Sequence, residues 1–482
     1  MAYTVSDNFA KGIDRRRPIY ATTPGAVWEA TNCHVSRGGD IEKRKSMKKI
    51  AALPPQCNGI IGAESTIYTF GSDAEPAGIP SGFTYMRCQH PSVPSTPMVG
   101  VVSSSLYDGK PYCAAKFADN QVFHYYNGEL NNDMMNAGQA NKPLMVGSTV
   151  YTFRNKIYTL AGSLLEYSGI GKPLGWTDGT DSGTGYINMS TQSGGSSKLT
   201  GIDVFQGNLA IFSERAIQVW NIKEDETQNY QMQTLKNTGT ISPRSVLAYG
   251  DIDVFYLDYT GIRTIRARVP SNAAFVNDLG TPIDTYIREW RKTLAEQAVE
   301  SAISIIEPLD ARLWMIIGSR AFVLSYFPAS QISAWTAYEL IDDSGTQFEC
   351  LDATTYYERL YLLGADKSLY LLGGNSGDEY DSTVATVQLP FIYSSKPDTD
   401  KLVSGIDISS EGDWDVSMLV DPRNLSRSVN IGTLSGVTTN DLGAAGFADT
   451  THIAPKLINR SSGYASLSQV MVTFQGTSEK GA

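Results

Sequence analysis

Histidine and cysteine are scarce in this chain of 482 residues. None of its four histidines stands at metal-ligand spacing from another, and the adjacent Cys33 and His34 would point to opposite faces of a strand. The five cysteines are odd in number and include no close pair in sequence, which argues against a disulfide framework and favours free thiols made in a reducing compartment. These absences predict a protein with no metal site and no cofactor.

Long apolar runs are also missing. No stretch approaches the ~20 apolar residues that a membrane-spanning helix needs, so we predict no membrane-spanning segment. The opening residues, MAYTVSDNFAKG, lack the apolar core of a secretory signal. We therefore expect a chain that is soluble when it is made.

Catalytic motifs are absent as well. The chain has neither the Gly-x-Ser-x-Gly turn of a serine nucleophile nor the Gly-x-x-x-x-Gly-Lys loop that binds phosphates. Asp251, Asp253 and Asp258 are close in sequence, but aspartate is favoured at the ends and turns of hairpins. We predict no catalytic residues and no enzyme activity. A glycosidase could still assemble its carboxylates from distant loops, so a glycan-binding propeller or a glycosidase acting on the host surface remains the alternative.

What the chain does contain is tyrosine, glycine and a recurring hairpin pattern. Each of seven segments runs through four or five apolar residues, turns on Gly, Ser, Asp or Asn, and runs again. Their first core positions lie 45, 45, 52, 45, 59 and 47 residues apart, at Ile67, Tyr112, Ile157, Leu209, Val254, Leu313 and Leu360. A period of ~40–50 residues with several strands is typical of a β-propeller blade. We predict a mainly β chain that forms a divergent propeller of six or seven blades.

The longest gap in this period contains a helical pattern. Between residues 281 and 300 the apolar residues lie on one helical stripe, formed by Ile283, Ile287, Trp290, Leu294 and Ala298. Thr281 is predicted as the N-cap and Pro282 as the first helical residue. The pattern predicts one inserted helix that packs on the surface of a blade.

The hairpin period ends near residue 390. Residues 391–482 still alternate like strands, but 435–450 is rich in Gly, Thr and Asp and is predicted as a long loop. The last residues, 476–482, are predicted as a frayed tail. We therefore predict an N-terminal basic arm of residues 1–50, a propeller of residues 51–390, and a C-terminal β extension of residues 391–482.

Charge is distributed unevenly along the chain, whose net charge is −11. Residues 11–49 contain ten basic and four acidic residues, so the remainder contains 29 basic and 46 acidic residues. Three loops are acidic: KEDETQ from 223, LIDDSGTQFE from 340 and GNSGDEYD from 374. These loops are expected to be solvated, or to form an anionic wall if several of them line one channel.

The basic segment is part of a longer motif. Residues 9–50 read FAKGIDRRRPIYATTPGAVWEATNCHVSRGGDIEKRKSMKKI, with a Gly-Ile-Asp start, a Pro-Gly and then NCHVSRGGDIEKRKS. This opening resembles that of the tail nozzle proteins of short-tailed bacteriophages, also called tail tubular protein B or packaged-DNA stabilisation proteins. Residues 199–220 and 251–268 resemble the same family. The resemblance implies a homohexameric ring of propellers in the virion tail, assembled in the host cytoplasm below the head-to-tail connector.

The same resemblance implies a ring that retains packaged DNA, later conducts it, and carries tail fibres as further partners. Because duplex DNA bears one charge per ~1.7 Å, an acidic wall would let it pass without specific binding, whereas a basic wall would hold it. The basic residues are expected to dock on the connector or on a neighbouring subunit. A solvated strand face and a brake on the DNA end are the alternatives. The candidate contact residues are Arg15, Arg16, Arg17, Lys43, Arg44, Lys45, Lys48 and Lys49.

Overall fold

The strands form small sheets in which neighbours in space are mostly neighbours in sequence. The computed structural model describes residues 2–23, 25–133, 147–177, 183–191, 198–267, 278–392, 399–441 and 447–479. The first strands are β1 Ala2–Ser6, β2 Gly12–Ile13, β3 Ala26–Val27, β4 Glu29–Thr31, β5 Cys33–Val35, β6 Ile41–Lys43 and β7 Met47–Ala52.

Seven blades follow, each with three or four strands. Their strands are β8 Ile60–Gly62, β9 Ile67–Gly71 and β10 Phe83–Arg87 in blade 1; β11 Met98–Tyr107, β12 Lys110–Phe117, β13 Val122–Tyr126 and β14 Glu129–Leu130 in blade 2; β15 Tyr151–Phe153, β16 Lys156–Ala161, β17 Leu164–Tyr167 and β18 Gly185–Asn188 in blade 3; β19 Leu199–Phe205, β20 Asn208–Ser213, β21 Ala216–Asn221 and β22 Tyr230–Lys236 in blade 4; β23 Leu247–Tyr249, β24 Asp253–Asp258 and β25 Gly261–Thr264 in blade 5; β26 Ile303–Glu307, β27 Arg312–Ile317, β28 Arg320–Phe327 and β29 Ile332–Glu339 in blade 6; and β30 Cys350–Tyr356, β31 Arg359–Gly364 and β32 Ser368–Leu372 in blade 7.

Blade 7 is completed by a strand from the other end of the chain. β7 pairs antiparallel with β32, and the register runs from Met47 opposite Leu372 to Ala52 opposite Ser368. Blade 7 also holds blade 1, because Asp352 Oδ2 accepts a hydrogen bond from the Ile60 N–H at 2.8 Å. The fold is therefore a closed β-propeller, and the predicted six or seven blades are seven.

The blades stack through both faces of their strands. In β20, Leu209 and Ile211 join the core shared with blade 3, whereas Ala210 and Phe212 join the core shared with blade 5. Successive side chains of a strand point to opposite faces, so a strand between two blades must be apolar at every position. This is why the propeller strands read as short continuous apolar runs.

The predicted inserted helix is broken into two. The chain forms a short 3₁₀ turn at 281–283, followed by α1 Asp284–Arg291 and α2 Glu296–Glu300. The single-helix prediction was wrong because the chain turns after α1, where Thr293 Oγ1 donates to the Trp290 carbonyl at 2.7 Å. Thr281 is not the N-cap of α1, since that position is taken by Ile283 without a side-chain cap. Four residues of the predicted apolar stripe, Ile283, Ile287, Trp290 and Leu294, pack against blades 5 and 6, whereas in α2 the buried residue is Val299 rather than the predicted Ala298.

The remaining strands form a second β unit beside blade 6. They are β33 Ala385–Gln388, β34 Thr399–Glu411, β35 Trp414–Leu419, β36 Ser428–Leu434, β37 Val437–Asp441, β38 Phe447–Thr450, β39 Ala454–Asn459 and β40 Ser466–Glu479. One sheet has the order β37-β34-β40-β6-β5, with β1 on β40 and β38 on β34. The other continues from β29 through β4, β33, β39 and β35 to β36. Strands between residues 2 and 43 thus share their sheets with strands between 385 and 479, and residues 47–52 belong to blade 7.

Two predictions in this second unit are settled by its strands. The loop prediction for 435–450 was wrong for its two ends, because β37 and β38 both pair with the long strand β34. Its middle, residues 442–446, lies outside the described residues. The predicted tail is strand up to Glu479, and residues 480–482 also lie outside the described residues. Within the part of the chain that is described, no helix has the length and apolar character to cross a membrane.

Candidate partner-contact surface

The eight predicted contact residues fall into two groups with different surroundings. Lys43 to Lys49 run from the last residue of β6 into β7, where the chain passes from the second β unit into blade 7. Arg15 to Arg17 lie after β2, on the second β unit itself. The two groups therefore have to be considered separately.

Lys43 and Arg44 are buried with no exposed surface, so their charged groups are surrounded by other residues of this chain. Lys43 Nζ donates to the Asp381 carbonyl at 2.8 Å, to Asn459 Oδ1 at 2.9 Å and to the Ser461 carbonyl. Burial lowers the pKa of Lys43 to about 8, and the nearby Asp381 carboxylate opposes this shift. A lysine caged in this way is not available to a partner, so the contact prediction was wrong for Lys43.

Arg44 lies in a second buried cage, and the contact prediction was wrong for it too. Its guanidinium donates to the carbonyls of Lys45 at 2.8 Å and Ile341 at 2.9 Å, and to Thr383 Oγ1 at 3.0 Å. The Asp381 carboxylate lies 3.5 Å from Arg44 Nη1 and balances its charge. Burial lowers the pKa of Arg44, although the Asp381 carboxylate partly opposes this shift. Only a fork of five donors can satisfy so many acceptors from different parts of the chain.

The other three lysines form ion pairs on the surface of the same junction. Lys45 Nζ lies 2.7 Å from Asp378, Lys48 Nζ lies 2.6 Å from Glu379, and Lys49 Nζ lies 3.9 Å from Asp366. Their side chains are 25%, 35% and 47% exposed. Residues 43–49 are called the basic run below. Lys49 is the most accessible cation of this run, and its ion pair is the longest of the three.

Two of the three acidic loops lie against this basic run, although Asp366, the partner of Lys49, belongs to neither. Asp378, Glu379 and Asp381 belong to the loop that begins at 374, and Asp343 of the loop that begins at 340 accepts the Lys49 N–H at 3.3 Å. In the third loop, residues 223–225, 227 and 228 are exposed, and Asp225 accepts hydrogen bonds from Thr227 within the loop. The predicted anionic wall therefore does not arise from these loops together, because two of them face the basic run.

The Arg15 group is more accessible. Arg15 is mostly covered, with its guanidinium 4.0 Å from the Tyr286 ring centre and 3.6 Å from Glu289. Arg16 forks onto Asp14 at 2.9 and 2.6 Å and is half exposed. Arg17 is exposed and forms no ion pair with any residue that the structure describes. Arg17 is thus the free cation of this group.

Arg17 stands at the edge of a groove in the second β unit. The groove has a volume of about 540 Å³ and an apolar floor that includes Phe391, Val470 and Val472. One side is the edge strand β1, which pairs only with β40 among the described strands. Among the described residues that line the groove none is a carboxylate, so Arg17 gives this part of its rim a positive charge.

A buried polar cluster, which the sequence pattern did not indicate, joins the second β unit to blade 6. His34 of β5 accepts at Nδ1 from the Tyr338 hydroxyl at 2.7 Å, and its Nε2 lies 3.3 Å from Glu42. Burial, together with the charge of Arg312, lowers the pKa of His34 to about 4 despite the carboxylate. The imidazole is therefore neutral at pH 7, with its proton on Nε2 toward Glu42. The adjacency of Cys33 and His34 gave no signal for this cluster, because its partner Tyr338 is 304 residues away.

The mouth of the propeller forms a second concave site, of about 620 Å³, where the innermost strands of the blades begin. Its charged lining residues are Lys116, Lys198, Glu214, Arg244 and Glu300. Arg244 is paired with Asp352, whereas Glu214 and Glu300 form no ion pair with the residues described. The mouth therefore carries both signs of charge. Among the residues described, no group of three or more His, Cys, Asp or Glu side chains is placed to hold a metal ion.

Comparisons with known proteins identify no family for this chain. No family model matches it, and no curated protein matches it. Solved structures match it only at low similarity. The computationally designed Ika8 protein has a TM-score of 0.37 at 9% identity, covering 68% of this chain and 99% of that one. The WD40 domain of Sif2 has a TM-score of 0.37 at 8% identity, covering 72% and 95%. An exo-β-1,3-galactanase from Phanerochaete chrysosporium has a TM-score of 0.30 at 10% identity, covering 88% and 100%.

Proposed function

We propose that this chain is the tail nozzle subunit of a short-tailed bacteriophage, a structural virion protein that retains packaged DNA and conducts it during ejection. The observation that carries the proposal is the place of the resembling segment in the fold. Residues 9–50, which resemble the opening of the nozzle proteins, build strands of the second β unit and continue into β7, which closes the propeller. The segment thus couples the two units through the buried Arg44, which donates to the Ile341 carbonyl just after blade 6 and to Thr383 Oγ1 just before β33.

The other resembling stretches support the same proposal. Residues 199–220 are the three inner strands of blade 4, and 251–267 contain the hairpin of blade 5. These two blades are neighbours and share a core. The resemblance therefore covers contiguous structure.

The charge of the chain suits a conduit. The basic run pairs with carboxylates of its own chain, so each pair is neutral at a distance, and the excess that remains over the whole chain is acidic, with a net charge of −11. A duplex passing a ring of such subunits would meet a repulsive field within ~8 Å of the surface at physiological salt. In this proposal six copies form the ring, the connector and tail fibres bind it, and DNA passes without specific contacts.

The structure changes which cations can serve the connector contact. Lys43 and Arg44 are enclosed, whereas Arg17 is exposed beside a groove, and Lys49 is the most exposed lysine of its run. Exposed guanidinium groups are suited to carboxylates of a partner. We therefore assign the docking role to the second β unit near Arg17, with Lys49 as an additional contact.

The assembly test uses the purified full-length chain and the connector of the same virus. When the connector is present, light scattering and negative-stain microscopy are expected to show rings of six subunits, each of 52.4 kDa. Arg17→Glu is expected to weaken attachment about tenfold, because it places a like charge against the partner carboxylate. Arg423→Glu, an exposed charge reversal in the second unit outside the groove, is the matched control and should attach normally. A chain that stays monomeric and never binds the connector contradicts the proposal.

The alternative, a glycan-binding protein or glycosidase, is favoured by one observation. The propeller mouth has a volume of about 620 Å³ and contains Glu214 and Glu300, two carboxylates that form no ion pair within the described part of the chain. A glycosidase of this kind would release sugar from host envelope polysaccharide as the wild type, and the variants Glu214→Gln and Glu300→Gln would release none. If the wild type neither releases sugar from the polysaccharide nor binds it, the alternative is contradicted and the structural role is retained.

A further inference from the structure

Two of the five cysteines meet in the core between blades 1 and 2. The sulfur of Cys88 lies 3.7 Å from the sulfur of Cys113, and both side chains are fully buried. All five cysteines are among the described residues, and this is the one sulfur–sulfur contact between them. The sequence does not reveal the contact, because the two residues are 25 positions apart on different blades.

The two cysteines occupy different kinds of strand. Cys88 directly follows β10, the outermost strand of blade 1, and its N–H donates to the Gly71 carbonyl at 2.7 Å. Cys113 lies within β12, which is paired on one side with β11 and on the other with β13. A bond between them would join the rim of blade 1 to the interior of blade 2.

We propose that Cys88 and Cys113 form a disulfide when the protein meets an oxidising medium. A disulfide brings the sulfur atoms to ~2.0 Å, so they must approach each other by about 1.7 Å. No strong hydrogen bond has to break for this movement, since the other polar contact of Cys88 Sγ is a weak one, 4.0 Å from the Met86 carbonyl. The surroundings are apolar and aromatic, and they offer neither thiol a strong hydrogen-bond partner.

The co-reactant is a small-molecule disulfide such as oxidised glutathione. The thiolate of one cysteine attacks it, forms a mixed disulfide and releases one glutathione thiolate. The thiolate of the second cysteine attacks the protein sulfur of that mixed disulfide and releases the other glutathione. The two S–H protons of the protein pass to the two released glutathione thiolates. Two electrons move from the cysteines to the co-reactant, which is reduced to two thiols.

Cys88 is the sulfur that the oxidant reaches first. Edge strands open more readily than strands paired on both sides, and Arg87, the preceding residue, is exposed. Cys113 then acts as the resolving cysteine from its fixed place in β12. Because both sulfurs are buried in the closed state, the reaction is limited by this opening and is expected to be slow.

The timing of the bond rests on the proposed function, whereas the chemistry does not. A nozzle subunit folds in a reducing cytoplasm and is released by lysis into an oxidising medium. The disulfide would then fix blade 1 to blade 2 after assembly is complete. A chain that fails to form rings could still form the bond, so the two proposals can fail separately.

The test treats the reduced, folded full-length chain with oxidised glutathione and counts its thiols after denaturation. The reduced chain has five, and three are expected after oxidation. Trypsin does not cut between Lys110 and Pro111, so both cysteines lie on one peptide, residues 88–116. The mass of that peptide is expected to fall by two hydrogen atoms, and the unfolding temperature of the oxidised chain is expected to rise.

Two variants separate this bond from other oxidation. Cys350→Ser, which changes a cysteine outside the pair, should still lose two thiols. Cys88→Ser should lose none by internal bonding, and its 88–116 peptide should keep its mass or carry a glutathione adduct. An unchanged wild-type peptide after prolonged oxidation overturns the proposal, and so does equal thiol loss in Cys88→Ser. The wild-type peptide mass gives the answer even if a variant folds poorly.

Discussion

Arg44 and Arg17 belong to the same basic N-terminal region, and their surroundings in the fold are opposite. Arg44 has no exposed surface, and its guanidinium reaches carbonyl, hydroxyl and carboxylate oxygens in its own chain. Arg17 is exposed, lies beside a groove and forms no ion pair with the residues described. One arginine therefore fixes the fold, and the other is available to a partner.

The difference teaches that a run of charges is not evidence of a surface. Lysine and arginine are almost never fully buried unless they are paired, so a basic run is ordinarily interpreted as solvated. Here the partners of Lys43 and Arg44 lie at Asn459 and Thr383, 416 and 339 residues along the chain. Only the return of the chain to its own beginning brings these groups together.

The largest expected effect comes from removing the buried arginine. Arg44→Met should lower the free energy of unfolding by about 3–5 kcal/mol, because it removes the ion-pair partner of Asp381 and leaves buried oxygen acceptors without their donor. Urea unfolding followed by tryptophan fluorescence measures the loss. Arg17→Met is the matched control, and it should stay within about 0.5 kcal/mol of the wild type. Equal stability of the two variants would show that the buried cage contributes no more than an exposed arginine.

The fold could be predicted from the sequence to the extent that its contacts are local. Hairpins such as β19–β20 turn at Gln206-Gly207, whose positive φ values of 49° and 74° suit a two-residue turn. Such hairpins recur at a regular spacing, and the propeller was predicted from that spacing. The break between α1 and α2 was missed, because it depends on a hydrogen bond of Thr293 that the helical periodicity does not encode.

The candidate site could be predicted only in part, because its contacts are distant in sequence. The charge count pointed to residues 11–49, and the same count marked the loops from 340 and 374 as acidic. Nothing in either pattern indicated that the basic run and the acidic loops meet. The closing strand β7 was missed for the same reason, since its partner β32 lies more than 300 residues away.

A smaller loss of stability is expected when the pH is lowered, because His34 titrates in the buried cluster that it forms with Tyr338 and Glu42. The pKa of His34 is about 4 in the fold and about 6.5 when unfolded, so below pH 6.5 the unfolded chain binds a proton that the folded chain does not. Stability is therefore complete above pH 6.5 and is lost as the pH falls toward 4. At pH 5 the loss from this group is about 2 kcal/mol relative to pH 7.5.

The variant His34→Gln isolates this contribution. It removes the titrating ring and keeps a polar side chain near Tyr338 and Glu42, so it should lack the loss between pH 7.5 and 5 even if it is less stable overall. Urea midpoints at the two pH values measure the difference. Glu42 also has a lowered pKa, caused first by its hydrogen bond from His34, and it adds a loss only at more acidic pH. The same dependence on pH in wild type and His34→Gln would exclude His34 as the acid-sensitive group.

The smallest effect is expected from the exposed ion pairs that accompany the closing strand. Lys48 and Glu379 are 2.6 Å apart, and each side chain is about one-third exposed, so water and salt screen their attraction. Lys48→Glu should shift the unfolding midpoint by less than Arg44→Met does, because it places two like charges together at the surface without leaving a buried charge. The double variant Lys48→Glu, Glu379→Lys should recover most of the shift, and both differences should shrink in high salt. Suppose instead that the single variant were as damaging as Arg44→Met and the double variant gave no recovery. The packing of the Lys48 stem, rather than its charge, would then stabilise β7, and exposure would no longer predict how much a cation contributes to stability.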